Sequence, residues 1–180
     1  MLLHVALGVA LLALVSTYLP TLWGAPWAPT PLHRVDRMLR LAGVQPGETV
    51  VDLGSGDGRI VIRAARRFGA RAVGVEIDPL RCLVGNIAIR LMGLTERAQV
   101  VRGDMFAYDL GKADVVTLYL LDSTNQRLRS RLAGDLRPEA RIVSHRYRLE
   151  GWTPAAVDEE HQLFLYQVGR ATSAREDGAS

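Results

Sequence analysis

The run Val50-Val51-Asp52-Leu53-Gly54-Ser55-Gly56-Asp57-Gly58-Arg59 carries a β-branched strand through three alternate glycines towards a helix. Glycines let the chain turn tightly and bring a ligand against the main chain, where a side chain would collide. Around this run, strand and helix signals alternate. Strand-like stretches cover residues 49–53, 72–77, 99–102, 115–121 and 141–145, and helix-like stretches cover 58–68, 79–92 and 122–136. Near-continuous Val, Ile and Leu strands separated by helices predict a parallel sheet covered on both faces. Residues 157–159 and 162–168 read as a terminal antiparallel hairpin, and 32–42 as a short amphipathic helix. The expected fold class is α/β: a doubly wound, mostly parallel sheet with its ligand at the carboxyl ends of the strands.

Two further acids stand at informative distances from the glycines. Glu76 closes the second strand, where a carboxylate accepts both hydroxyls of a ribose. Asp104 follows the third strand, placed to accept from the exocyclic amine of adenine, with Ile77, Met105 and Phe106 as apolar walls for the ring. A nicotinamide dinucleotide is the competing ligand. Its loop is GxGxxG, whereas this chain has the third glycine one place early, and Asp52 lies two residues before the first. An acid there repels a pyrophosphate and suits a cationic sulfonium and amino group. The expected cofactor is S-adenosylmethionine, with Asp52, Gly54, Ser55, Gly56, Gly58, Glu76, Ile77, Asp104, Met105 and Phe106 around it. Asp57 reads equally well as the cap of the helix it opens.

Composition narrows the rest. The chain has 180 residues, 48% hydrophobic and 23% charged, which suits one domain. The single Cys82 excludes a disulfide framework and reads as a small core residue, and the four histidines lack zinc spacing, so no metal is expected. Twenty-one arginines stand against one lysine, Lys112, with a net charge of +3. The basic run from Arg127 to Arg148 reads first as a solvated face.

Residues 2–19, LLHVALGVALLALVSTYL, contain no charge and are apolar on every face. At 1.5 Å per residue they span roughly 27 Å, close to a hydrocarbon core of about 30 Å. A signal peptide lacks its basic leader here, and a buried core helix remains open at this length. A single membrane anchor is the expectation, and Arg34, Arg37 and Arg40 after the span place the body in the cytoplasm by the positive-inside rule. The expected organisation is residues 1–23 as anchor, 24–47 as proline-rich lid and amphipathic helix, 48–168 as the cofactor domain, and 169–180 as a disordered tail.

The pattern DxGxGxG, an acid ending the second strand and an Asp after the third resembles the class I, Rossmann-like methyltransferases. Pro29-Thr30-Pro31 ahead of the amphipathic helix, VVDLGSGDGRIVI, and His145-Arg146-Tyr147 with Trp152 resemble the ATP synthase c-subunit lysine methyltransferase family. That resemblance implies that the loop at Thr30 folds over the cofactor and that the acceptor is a protein lysine, such as one on a small membrane protein. Residues 118–125, LYLLDSTN, depart from the Phe-Gly-Val-Pro type of run in eukaryotic members. Tyr119, Asp122 and Asn125 lie at this tip, where a methyl acceptor approaches, and are the candidate catalytic residues; Asp122 and Asn125 equally suit a helix cap and first turn. A lipid, a small molecule or RNA as acceptor, and a non-catalytic cofactor-binding scaffold, are the alternatives, with nucleic acid the less expected partner.

Overall fold

Gly8 and residues 30–169 are described by the computed structural model. The elements run α1 (Leu32–Leu41), β1 (Thr49–Leu53), α2 (Arg59–Phe68), β2 (Arg71–Glu76), α3 (Pro79–Leu91), β3 (Ala98–Arg102), β4 (Val115–Leu118), α4 (Asp122–Asp135), β5 (Arg141–His145), β6 (Ala156–Asp158) and β7 (Leu163–Gln167). They build one seven-stranded sheet of order β3-β2-β1-β4-β5-β7-β6. The first five strands are parallel, and β7 and β6 close the sheet antiparallel. Strand order reverses between β1 and β4, which makes their carboxyl ends the switch point where α/β sheets bind ligands.

Alternate strand residues feed two cores. Val50, Ala72, Val100, Val115 and Val143 pack under α1, α2 and α3, whereas Val51, Val75, Val116, Leu118 and Ile142 pack under Leu128 and Leu132 of α4. Helix α1 is part of the first core, because Val35, Met38 and Leu39 at i, i+3 and i+4 are all fully buried. Helix α3 begins at Pro79, and the Asp78 side chain accepts from the backbone N–H of Leu80 and Arg81 as its cap. Its outward face is apolar too: Leu80, Leu83, Val84, Ile87 and Leu91 are exposed, opposite buried Cys82, Gly85 and Ile89.

Strand β4 stops at Leu118 where the sequence pattern runs on to 121. The chain turns out of the sheet there because Leu120 packs onto Gly54 and Leu121 becomes the residue that opens α4. The basic run is also not one face. Arg131 pairs with Asp135, Arg137 with Asp114, Arg141 with Glu48 and Arg148 with Glu159.

The expected single-pass, membrane-anchored localisation is corrected. Among the described residues no helix is long and apolar enough to cross a membrane. The hydrophobic stretch 2–19 that prompted that expectation lies, Gly8 apart, outside the described residues, as does the tail after Gly169.

Candidate functional site

The site grows from the loop after β1. Gly54 and Ser55 donate their backbone N–H groups to the carbonyl of Val75 at 2.9 and 3.1 Å, which folds the loop over the tip of β2. Gly54 has φ +75°, and a Cβ there would lie 2.8 Å from Cδ2 of Leu120, so the position excludes a side chain on two grounds. Gly58, at φ +76°, opens α2, and its missing Cβ admits Val100 and the backbone of Gly85. Its place as the residue before the helix displaces Asp57 from that role. Asp57 instead holds Arg59 through Oδ2 at 2.6 Å and accepts the Arg59 backbone N–H at 3.3 Å. Burial opposes its ionisation, but the Arg59 guanidinium outweighs this and holds the carboxyl below its usual range. Arg59 also donates to the backbone carbonyl of Thr30 at 2.9 Å, bringing the residue ahead of α1 to the glycine loop.

Glu76 is buried at the end of β2 and reaches back to this loop. Its Oε2 accepts the N–H of Gly56 at 2.8 Å, and its Oε1 accepts that of Asp78 at 3.0 Å. One lone pair on each oxygen is fixed by the backbone, leaving the others to point outward. Asp104 accepts the N–H of Phe106 at 2.8 Å through Oδ1 and is otherwise exposed. Glu76, Ile77, Asp104, Met105 and Phe106, with Gly54 and Arg127, line a cavity of about 270 Å³. Arg127 lies over the Phe106 ring at 4.1 Å, a wall that the sequence pattern does not announce.

Asp52 stands ahead of the glycine loop, only 2% exposed. Burial, offset in part by a 2.6 Å hydrogen bond from the Thr117 hydroxyl, and repulsion by Glu76 and Asp57 push its carboxyl up to about 7. Ser55 does not turn its side chain outward: its Oγ is buried without a partner and fills the space over Gly74, where a Cβ would come within 2.4 Å.

The three candidate catalytic residues are not gathered. Tyr119 stacks on His145 with ring centroids 4.2 Å apart. Asn125 is fully buried and donates to Ser144 Oγ at 3.3 Å and to the carbonyl of Tyr147 at 3.4 Å. Ser144 and His145 are successive residues of β5 and project to opposite faces, so Tyr119 and Asn125 lie on opposite sides of the sheet. Asp122 is exposed in the first turn of α4 and accepts from Gln126 at 3.2 Å.

These residues fit S-adenosylmethionine. The cavity carries two carboxylates, Glu76 and Asp104, beside apolar Ile77, Met105 and Phe106, and a third acid, Asp52, stands ahead of the glycines. The family described as ANTKMT methyltransferase domain matches residues 52–156. A protein-lysine N-methyltransferase of Saccharolobus islandicus is 41% identical over 80% of this chain and 94% of its own length. The human lysine N-methyltransferase of the ATP synthase c-subunit is 27% identical over 75% of this chain and 57% of its own. A solved RNA methyltransferase from Salinibacter ruber, in complex with S-adenosyl-L-homocysteine, is 45% identical with a TM-score of 0.76 and covers 78% of this chain and 94% of that one. The resemblance drawn from the glycine loop and its acids is borne out by these matches.

Proposed function

This chain belongs to the ANTKMT methyltransferase domain family and is an S-adenosylmethionine-dependent methyltransferase, and we propose that its acceptor is a lysine side chain of a protein. The observation that carries the reading is the match to the archaeal protein-lysine enzyme over nearly all of that protein's length.

When bound, the cofactor would supply an electrophilic sulfonium methyl group, to whose carbon the acceptor nitrogen forms a bond as the C–S bond breaks and S-adenosylhomocysteine leaves as the neutral thioether. The chain's own residues hold and orient. Glu76 takes the ribose hydroxyls, Asp104 the exocyclic amine, and Ile77, Met105 and Phe106 the faces of the ring. Asp52 faces the cationic end. A lysine amine has a free-solution pKa of about 10.4, so its neutral form has to be generated on binding, and desolvation at a narrow tip drives it that way. Tyr119 and Asp122 stand on the acceptor side, Asp122 as an orienting group or proton acceptor; an anion there raises the amine's pKa instead of lowering it. Asn125 serves from beneath, by tying the start of α4 to Ser144 of β5.

RNA is the second reading, favoured by the name of the Salinibacter ruber structure. Incubation with methyl-labelled cofactor and a cell extract separates the two. Label in a protease-sensitive, nuclease-resistant species supports a protein acceptor. Nuclease-sensitive label gives RNA, solvent-extractable label a lipid, and no label alongside cofactor binding a scaffold.

A further inference from the structure

Three N–H groups of the glycine loop are turned to β2: Gly54 and Ser55 donate to Val75, and Gly56 donates to Glu76. The Asp57 carboxylate goes elsewhere. Arg59 grips it with two parallel bonds, Nε to Oδ1 at 2.9 Å and Nη2 to Oδ2 at 2.6 Å. This fork leaves Nη1 to donate at 2.9 Å to the carbonyl of Thr30, 29 positions earlier in the chain. That carbonyl needs the donor. Thr30 is buried, and α1 starts beyond it with Arg34 and Val35 donating to Pro31, so the Thr30 carbonyl lies outside the helix's own ladder.

Helix α1 does not depend on this bond for its place. Val35, Met38 and Leu39 are fully buried, Asp36 pairs with Arg63 at 2.6 Å and with Arg67 at 2.8 Å, and Arg37 pairs with Asp158. What Arg59 fixes is the single residue ahead of the helix. The sheet says where that residue stands. The cavity of Glu76 and Asp104 lies at the tips of β2 and β3, whereas α1 packs on α2 and β5. Arg34, in the first turn of α1, reaches His145 at the tip of β5. Because β1 lies between β2 and β4, the glycine loop has the cavity on one side and the start of α1 on the other.

We propose that Arg59 is a positioning residue for the cofactor: its fork holds Thr30 against the glycine loop as a wall beside the amino-acid tail. The assignment rests on the cofactor reading above, in which the base sits at Asp104 and the ribose at Glu76. The tail then leaves the ribose on the side away from Asp104, across the glycine loop and towards Thr30. Arginine suits the task because its planar guanidinium spans a carboxylate and a carbonyl at once, which a lysine ammonium, a point donor, does not reproduce. Arg59 acts on the tail through Thr30, while Glu76 and Asp104 hold the nucleoside end without it.

The test is calorimetric titration of the full chain with S-adenosylhomocysteine and with 5′-methylthioadenosine, which lacks the amino-acid tail. Wild type is compared with Arg59→Gln, Arg59→Lys and Asp36→Asn, and thermal unfolding is recorded for each. Asp36→Asn is the structural control, because it loosens α1 from α2 without touching Arg59. In Arg59→Gln the expected result is about tenfold weaker S-adenosylhomocysteine binding, with methylthioadenosine within about twofold of wild type. Arg59→Lys, which keeps the charge but not the fork, loses at least about threefold for S-adenosylhomocysteine. Asp36→Asn lowers the Tm and leaves both affinities within about twofold. The assignment is overturned by equal loss for both nucleosides in Arg59→Gln, by unchanged S-adenosylhomocysteine affinity there, by wild-type affinity in Arg59→Lys, or by the same loss in Asp36→Asn. Wild-type protein that binds neither nucleoside overturns the cofactor reading instead.

Discussion

The hydroxyl of Thr117 donates a 2.6 Å hydrogen bond to Asp52, its register partner on the neighbouring parallel strand, and so holds an acid inside the sheet's upper rim. Burial raises this carboxyl to about 7 from an unfolded value of 3.8. The stability contributed by its protonated form is fully present below the unfolded value and is lost as pH rises through about 7. Wild type is therefore expected to lose on the order of 4 kcal/mol from this group between pH 4 and 8. Asp52→Asn should flatten that loss while weakening S-adenosylmethionine binding about tenfold. Unfolding at several pH values, paired with calorimetry, checks both halves.

Glu76 carries a similar double duty, since Gly56 and Asp78 both donate backbone N–H groups to it. In Glu76→Gln one of those donors meets an NH₂ group that cannot accept. The expected outcome is a cofactor affinity about 10- to 100-fold weaker, with a lowered Tm. Titration with S-adenosylhomocysteine and a thermal melt measure the two effects.

Gly85 lies mid-helix, where alanine is ordinarily favoured by about 1 kcal/mol. A Cβ there meets Cγ2 of Val100 at 2.9 Å and the carbonyl oxygen of Asp57 at 3.2 Å, atoms of the core and of the glycine loop. Gly85→Ala should therefore destabilise, by about 1–3 kcal/mol, against the helix propensity. Urea denaturation gives the sign directly.

Asn125 and Asp122 separate a structural residue from an acceptor-side one. Asn125→Ala removes the tie from α4 to Ser144 and Tyr147 and should cost about 1–2 kcal/mol of stability. Asp122→Ala, at an exposed position, should leave stability within about 0.5 kcal/mol and cofactor affinity unchanged while turnover falls about tenfold or more. Unchanged turnover on the true acceptor removes Asp122 from the reaction.

That Gly54, Glu76, Ile77, Asp104, Met105 and Phe106 come together around one cavity was legible because their determinants are local. Strand, glycines and acid arrive in sequence, and an acid at the end of β2 or after β3 needs no distant partner to be placed. The rest of the site depends on pairings that sequence spacing does not carry. Arg34 meets His145 across 111 residues, and Thr117, a β-branched residue in a hydrophobic strand, reads as filler until β1 and β4 are in register. Tyr119 and Asn125, six positions apart, look like neighbours, yet strand alternation at Ser144 and His145 sends their partners to opposite faces. The basic run dissolves for the same reason, because Glu48, Asp114 and Glu159 come from elsewhere in the chain to pair with its arginines.

The most direct measurement is the chemistry of the product. Protein labelled from methyl-labelled S-adenosylmethionine by the purified chain is hydrolysed to amino acids and resolved against methylated standards. The expected result is label co-migrating with an ε-N-methylated lysine, lost in Glu76→Gln. Label confined to nucleosides, or to any amino acid other than lysine, would contradict a protein-lysine acceptor.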